Sequence, residues 1–161
     1  MGEDFTAKKI SDSLTEVTHI LFPRSLNDMG RLYGGQLLEW LDELAGIVAR
    51  RHCGGSVVTA SIDRMDFKEG AKQGDMVCMR GCLTYVGNTS MEVRMDSYVE
   101  NVSDGTRRLI NTAFFVMVAV DENGSPAKVP PLAIEGFREQ AEWEAAEKRM
   151  AFRKMRRKEG F

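Results

Sequence analysis

Cysteine and histidine are scarce in this sequence, and their scarcity argues against a metal centre. The 161 residues include three cysteines, Cys53, Cys78 and Cys82, and only two histidines, His19 and His52. The cysteines are odd in number and have no C-x-x-C spacing, so a zinc site is not expected. We therefore expect no metal ion, and we expect reduced, partly buried thiols, as in a reducing compartment.

Long apolar runs and a strong net charge are also missing. No hydrophobic stretch approaches the length of a membrane span, and residues 1–13 are polar and mixed in charge, unlike a signal peptide. The net charge of −2 gives no overall attraction to nucleic acid or to a membrane. The 43% hydrophobic and 29% charged residues are typical of a soluble globular protein. These features predict one cytoplasmic domain over residues 1–161, with no nucleic-acid partner and no membrane insertion.

Residues 27–51 predict a glycine-containing loop followed by a long amphipathic helix. Apolar residues recur at the spacing of one buried helix face, at Leu37, Leu38, Leu41, Leu44, Ala45 and Val48. Asp42 falls at the edge of that face, where a carboxylate is costly unless a partner binds it or the protein uses it. By spacing alone, Asp42 is either a hydrogen-bonded structural residue or a catalytic one. Gly54 and Gly55 follow the helix and predict its end in a left-handed cap.

Gly34 and Gly35 open this helix and offer a second candidate feature. Together with Gly30 they form G-x-x-x-G-G, which is neither the dinucleotide-binding fingerprint nor a Walker loop. The first N–H groups of a helix have no internal acceptor, and the helix dipole is positive there. This end therefore suits a carbonyl oxygen that gains negative charge. The alternative is that the glycines only permit a tight turn into the helix.

Five segments have the composition and alternation of β-strands, and a charged segment follows them. The strands are predicted at residues 13–22, 56–65, 75–86, 91–100 and 109–120, and a peripheral, mostly solvated helix at 135–158. One long apolar helix against one mainly antiparallel five-stranded sheet is an α+β architecture, with its core in about residues 13–132. The helix buries only one face of the sheet. We expect a second copy of the chain to bury the opposite face, so the sequence predicts a homo-oligomer.

Other catalytic arrangements find little support. No G-x-S-x-G is present, and two histidines leave few ways to build a Ser-His-Asp triad. His52 stands at the predicted helix C-terminus and His19 in an apolar strand, so structural roles are expected for both. Seven basic residues occupy the C-terminal segment: Lys148, Arg149, Arg153, Lys154, Arg156, Arg157 and Lys158. They fit either a solvated helix or a helix that binds a phosphate-bearing ligand.

Several motifs carry a family resemblance that covers most of residues 13–132. They are NDMGRLYGGQLLEWLDELAG at 27–46, ARRHC at 49–53, VVTASIDRMDF at 57–67, GNTSMEV at 87–93 and TAFFVMVAVD at 112–121. In these motifs the chain resembles the hot dog fold acyl-CoA thioesterases, in the hexameric acyl-CoA hydrolase group that includes the brain-type cytosolic enzymes. The resemblance implies a long central helix wrapped by the five-stranded sheet. It also implies a dimer as the minimal unit and a hexamer built as a trimer of dimers.

The same resemblance implies the activity and its residues. The expected reaction is hydrolysis of fatty acyl-CoA to free fatty acid and CoA, without a metal or a cofactor other than the CoA of the substrate. Asp42 matches the family's catalytic aspartate, acting as general base on water or as nucleophile. Asn27 matches the catalytic asparagine, which faces Asp42 from the neighbouring subunit. The N–H groups of Gly34 and Gly35 are the expected donors to the oxyanion.

Coenzyme A is expected, by the same resemblance, to lie along the sheet edges. The candidate contacts are Thr59 and Ala60 on the second strand, and Gly87, Asn88, Thr89 and Ser90 in the turn. The family often has arginine or lysine where this chain has Asn88. Another basic residue, such as Arg64 or one on the terminal helix, is expected to replace that phosphate contact. The alternative function is a non-catalytic acyl-CoA-binding or sensing module on the same fold, and a hydratase is disfavoured because no histidine lies within residues 27–42.

Overall fold

Two long helices and five long strands account for most of the chain. The computed structural model describes residues 5–161. Its elements in chain order are β1 (Lys8–Lys9), α1 (Ile10–Ser13), β2 (Thr15–Ile20), a 3-10 turn (Pro23–Ser25), α2 (Gly34–Cys53), β3 (Ser56–Phe67), β4 (Met76–Val86), β5 (Ser90–Glu100), β6 (Arg107–Val120), β7 (Leu132–Ala133) and α3 (Gly136–Glu159). The predicted order of a strand, a long helix, four strands and a terminal helix is confirmed. The short β1 and β7, which pair in parallel, are too brief for periodicity to reveal.

The five long strands form one antiparallel sheet in the order β2-β4-β5-β6-β3. Tight turns make β4, β5 and β6 neighbours both along the chain and in the sheet. Among residues 5–161, β3 pairs only with β6 in this sheet, so within this part of the chain it is a twelve-residue edge strand with one free side. Two register shifts interrupt that pairing, and they leave Ala60 and Asp63 without a partner on β6.

Helix α2 packs its apolar face against the inner face of the sheet. The buried residues of α2 are Leu37, Leu41, Leu44, Ala45, Val48, Ala49 and His52. Burial of each larger apolar side chain contributes about 1.5–3 kcal/mol to stability. The helix and sheet approach closely at Gly81, where a Cβ atom would lie 3.0 Å from a Val48 methyl carbon. The predicted end of the helix is confirmed, because Gly54 is its C-cap with a left-handed φ of 73°.

Helix α3 is mostly exposed, as its charge predicts, but one side of it packs on the sheet. Its Ala146 is fully buried, and its Trp143 ring lies 4.5 Å from the Tyr85 ring, centroid to centroid. Glu92, which alternation places on the polar face of β5, is only 1% exposed. The alternation is correct, but α3 rather than water covers this face, so the chain supplies more of the cover than the sequence predicts.

Opposite charges hold α3 on the sheet. We call this group the arginine cluster: Arg149, Arg153 and Arg156 of α3 with Glu92 of β5 and Asp63 of β3. Arg149 and Arg153 bind the two Glu92 carboxylate oxygens at 2.8 and 2.6 Å. Arg153 also reaches Asp63 at 3.0 Å, and Arg156 forms a further ion pair with Asp63. The cluster therefore joins α3 to an interior strand and to the edge strand at once.

Both histidines have structural surroundings, as expected. The fully buried His52 ring pairs through Nε2 with the Pro130 carbonyl oxygen at 2.8 Å. Burial lowers the pKa of His52, so its ring stays neutral and serves to anchor the 121–131 segment to α2. His19 stacks on Trp40 with ring centroids 4.3 Å apart. Between residues 5 and 161, no helix combines the length and hydrophobicity that a membrane crossing requires.

Candidate active site

A hydrogen bond between α2 and the edge strand β3 defines the candidate site. The Thr59 hydroxyl donates to Asp42 Oδ1 at 2.6 Å. Leu41 and Ala45 on either side of Asp42 are fully buried, whereas Asp42 is exposed in the single chain, as its place at the edge of the apolar face predicts. Within residues 5–161, Oδ2 of Asp42 accepts no hydrogen bond. One carboxylate oxygen is thus fixed, and the other is open to a water molecule or a substrate.

Thr59 makes a contact that the sequence does not predict. The resemblance implies that Thr59 contacts CoA, which stays a prediction, and the structure adds a hydrogen bond from its hydroxyl to Asp42. No local pattern signals this pair, because the residues lie on different elements and meet only when α2 packs on the sheet. Ala60, the next predicted contact, is exposed at the first register shift of β3.

Asn27 anchors the loop that leads into α2. Its Oδ1 accepts hydrogen bonds from the N–H groups of Met29 and Arg31, both at 3.0 Å. Two backbone donors identify that atom as the oxygen, so the amide NH2 group is the part left free. Within residues 5–161 this NH2 group has no acceptor, and the side chain is exposed. The Asn27 side chain is therefore fixed through its oxygen, and its exposed NH2 group keeps its capacity to donate.

The N-terminus of α2 also presents free donors. Tyr33 is the N-cap residue, and it provides no side-chain cap hydrogen bond. The first N–H groups of the helix, at Gly34 and Gly35, therefore keep their hydrogen-bonding capacity at the positive end of the helix dipole. Asn27 belongs to the loop that immediately precedes them. The two predicted kinds of donor thus lie at the same end of α2.

Asp42 lies too far along α2 to act with these donors in the same chain. It follows Gly34 by eight residues, which corresponds to about 12 Å along a helix axis. A base and an oxyanion donor acting on one carbonyl group each lie about 3 Å from the reacting atoms. In one chain, no hydrogen bond joins Asn27 to Asp42 among the described residues. Within one chain, the donor end of α2 and the Asp42–Thr59 pair are therefore separate features.

The remaining predicted contacts of CoA lie in two separate places. Gly87, Asn88, Thr89 and Ser90 form the β4–β5 turn as predicted, closed by a 2.8 Å hydrogen bond from the Gly87 N–H to the Ser90 carbonyl oxygen. Arg64 lies on β3 and forms an ion pair with Asp66 at 2.5 Å. The Arg64 charge is thus partly neutralised by a neighbour on its own strand.

Comparison with known proteins places this geometry in a family. The thioesterase superfamily model matches residues 29–105. An uncharacterised acyl-CoA thioester hydrolase of Bacillus subtilis is 41% identical over 118 residues, which are 73% of this chain and 69% of that protein. The rat cytosolic acyl coenzyme A thioester hydrolase is 31% identical over 150 residues. That match takes in 92% of this chain but only 39% of the rat protein.

Solved structures give the same assignment. An acyl-CoA hydrolase from Staphylococcus aureus, determined in complex with butyryl-CoA, CoA and CoA disulfide, is 33% identical, with a TM-score of 0.91. The match covers 96% of this chain and 94% of that one. An apo-hexameric acyl-CoA thioesterase is 38% identical, with a TM-score of 0.89. The match covers 93% of this chain and 96% of the chain of that enzyme. The family expected from the motifs is therefore confirmed: this chain belongs to the hot dog fold acyl-CoA hydrolases of the thioesterase superfamily, and it is an enzyme of the thioester hydrolase class.

Proposed function

We propose that this chain hydrolyses fatty acyl-CoA to free fatty acid and CoA at a site shared by two copies. The observation that carries the proposal is the hydrogen bond from Thr59 to Asp42 at the free edge of the sheet. It orients one carboxylate oxygen and leaves the other accessible, which is the arrangement that a general base or a nucleophile needs. The second copy supplies Asn27 and the N-terminus of α2.

The edge strand supports this assembly. β3 has a free side along twelve residues, and its Val58 and Ile62 are 49% and 42% exposed. Long apolar edge strands are usually covered, because their unpaired N–H and C=O groups attract other strands. We propose that β3 lies at the interface of a dimer. Burial of Asp42 in that interface would remove water around the carboxylate and strengthen its interactions with the substrate.

Each group has a defined task in the proposed reaction. The Asn27 NH2 group and the N–H groups of Gly34 and Gly35 donate to the thioester carbonyl oxygen as it gains negative charge. Asp42 either takes a proton from the attacking water or attacks the carbonyl carbon itself. The carbon–sulfur bond then breaks, the sulfur leaves as CoA thiolate and takes up a proton, and the acyl group leaves as a fatty acid. If Asp42 is the nucleophile, water hydrolyses the acyl-aspartate intermediate.

The Staphylococcus aureus enzyme supports the choice of residues. Solved variants of that enzyme carry alanine in place of an asparagine, an aspartate or a threonine. Those three positions have the same spacing along their chain as Asn27, Asp42 and Thr59 have in this one. The structure of that enzyme with butyryl-CoA and CoA supports an acyl-CoA substrate here.

The hexameric relative and the cytosolic rat relative support the wider proposal. We propose that dimers of this chain associate in threes, as the hexameric state of the related thioesterase favours. The cytosolic relative favours a cytoplasmic enzyme of fatty acid metabolism.

The test is release of free CoA thiol from a series of acyl-CoA esters of increasing chain length. We expect turnover by a species that sediments as a dimer or a larger assembly. A binding module on the same fold would be stabilised against heat by acyl-CoA without releasing thiol, and that result would contradict the proposal. Turnover by a stable monomer would contradict the shared site.

Replacing Thr59 with valine is expected to lower kcat about tenfold, because loss of one hydrogen bond to a charged group is worth about 1.5 kcal/mol. Valine has nearly the same shape but cannot donate to Asp42 Oδ1. Threonine-to-serine replacement at this position keeps the hydroxyl and serves as the matched control. The measurement is kcat from thiol release. An equal loss of kcat in the valine and serine variants would show that kcat depends on the shape of this side chain and not on its hydrogen bond to Asp42.

A further inference from the structure

Helix α3 has one side packed on the sheet and an opposite side that is exposed. A helix turns by about 100° per residue, so the fully buried Ala146 lies about 180° around the axis from Met155. On the same basis Lys148, Phe152 and Lys158 all fall within about 60° of Met155. Phe152 and Met155 are 60% and 44% exposed. We call this side of the last turns of α3 the outer face: Lys148, Phe152, Met155 and Lys158.

The cations of α3 divide into two groups. The three guanidinium groups of the arginine cluster bind carboxylates of the sheet and so fasten the helix. Lys148 and Lys158 belong to no ion pair within residues 5–161, and both are exposed. Glu159 is the one carboxylate side chain in the sequence from 148 to 161. The outer face thus keeps positive charge that the protein does not neutralise, although the whole chain has a net charge of −2.

Exposed apolar side chains between lysines favour a membrane surface over a second copy of the chain. Lysine is depleted at protein–protein interfaces, where burial of its charge is costly. At a bilayer surface the lysine stem lies along the apolar boundary, its ammonium group reaches the headgroup phosphates, and neighbouring apolar side chains enter the headgroup region. Phe161, which is 76% exposed and follows the C-cap of α3, adds a third apolar side chain at this end.

The first half of α3 provides a contrast within the same helix. Phe137 precedes Met155 by eighteen residues, or about five full turns, and therefore lies on the same side of the helix. It is 97% exposed, but the exposed residues that follow it include Glu139, Glu144 and Glu147. These carboxylates repel an anionic surface, so attraction to such a surface is confined to the C-terminal half.

We infer that the outer face binds the surface of an anionic phospholipid bilayer, with Phe152 and Met155 among the headgroups and Lys148 and Lys158 at the lipid phosphates. The contact is peripheral, because the helix lies along the surface and does not cross the bilayer. The inference depends on the exposure and charge of α3 and not on the proposed reaction. Together with that reaction, it would bring the release of fatty acid close to a phase in which this product dissolves.

The test is co-sedimentation with lipid vesicles, with circular dichroism to verify the fold of each variant. We expect binding to vesicles of equal parts phosphatidylcholine and phosphatidylglycerol, little binding to phosphatidylcholine alone, and weaker binding as salt is added. Phe152→Ser with Met155→Ser should weaken binding at least about tenfold. Lys148→Gln with Lys158→Gln should weaken it about thirtyfold. Phe137→Ser is the matched control, because it removes an exposed phenylalanine from the acidic half, and unchanged binding is expected.

Four results would overturn the inference. The protein could fail to bind the anionic vesicles at low salt, or the lysine variant could bind them as well as the unmodified chain. A smaller sedimenting species in the Phe152→Ser, Met155→Ser variant without lipid would assign the outer face to a contact between copies. Release of the bound protein by excess CoA at constant ionic strength would assign the lysines to the substrate. Thiol release is not measured here, so failure of the proposed function leaves this test unaffected.

Discussion

Replacing Asp42 with asparagine is expected to lower kcat for acyl-CoA by about 10³-fold or more while leaving the fold intact. Asparagine keeps the size of the side chain and an oxygen that accepts the Thr59 hydrogen bond. It can neither take a proton from water at neutral pH nor attack a thioester as a carboxylate. The measurement is thiol release at saturating acyl-CoA, with circular dichroism and sedimentation to verify the fold and assembly.

The neighbouring carboxylate provides a matched control. Glu43 is exposed on the same helix, and Glu43→Gln removes one negative charge at the next position, so near-normal kcat is expected. Retained activity in the Asp42→Asn variant would contradict the catalytic assignment.

Mixing two inactive variants tests whether the site is shared. A dimer of one Asp42→Asn chain and one Asn27→Ala chain has one site with both native residues. Random exchange of subunits at equal amounts should therefore restore about a quarter of the native sites. Chains that carried complete sites of their own would restore none, and that result would contradict the shared arrangement.

Replacing Glu92 with alanine is expected to lower the free energy of unfolding by about 3 kcal/mol, because Arg149 loses its carboxylate partner and Arg153 keeps only Asp63, while both arginines are largely covered. Glu92 is 1% exposed, and it binds Arg149, Arg153 and the Thr84 hydroxyl. The Arg149 guanidinium is further confined over the Phe114 ring, 4.0 Å from its centroid. The measurement is denaturant unfolding at a fixed protein concentration, since association adds to stability.

A more exposed ion pair between α3 and the sheet is the control for this prediction. Glu142 of α3 binds Arg94 of β5 at 2.5 Å, and its side chain is 38% exposed. Glu142→Ala is expected to cost about 1 kcal/mol or less, as for solvent-screened pairs. A similar loss in the free energy of unfolding in the two variants would show that the contribution of the arginine cluster to stability does not depend on its burial.

Local patterns in the sequence predict much of the fold. The spacing of Leu37, Leu41 and Leu44 reports which face of α2 is buried, since a helix turns by a fixed angle per residue. Alternation in β5 likewise assigns Met91 and Met95 to the core, where both are fully buried. These features depend on neighbours within a few residues along the chain. Asp42 is conspicuous for the same reason, because it interrupts a regular pattern.

Contacts between distant segments are what the sequence does not reveal. Thr59 meets Asp42 only through the packing of β3 beside α2, and no local spacing encodes that approach. Glu92 shows a related difficulty. The polar face of a strand has the same pattern whether water or a row of arginines covers it, so the sequence does not reveal that the mostly exposed α3 docks on the sheet through one side. The charged residues that predict an exposed helix include Arg149 and Arg153, which bind α3 to the sheet.

The arginine cluster also has a consequence for the order of folding during synthesis. Arg149 and Arg153 bind Glu92 across 57 and 61 residues, and Arg153 binds Asp63 across 90. The ribosome completes all five strands of the sheet before it makes α3. Until then the Glu92 and Asp63 side chains, which are 1% and 8% exposed in the folded chain, lack the helix that covers them. Their removal from water accompanies the packing of α3, so this face of the sheet becomes covered only after the last strand has been made.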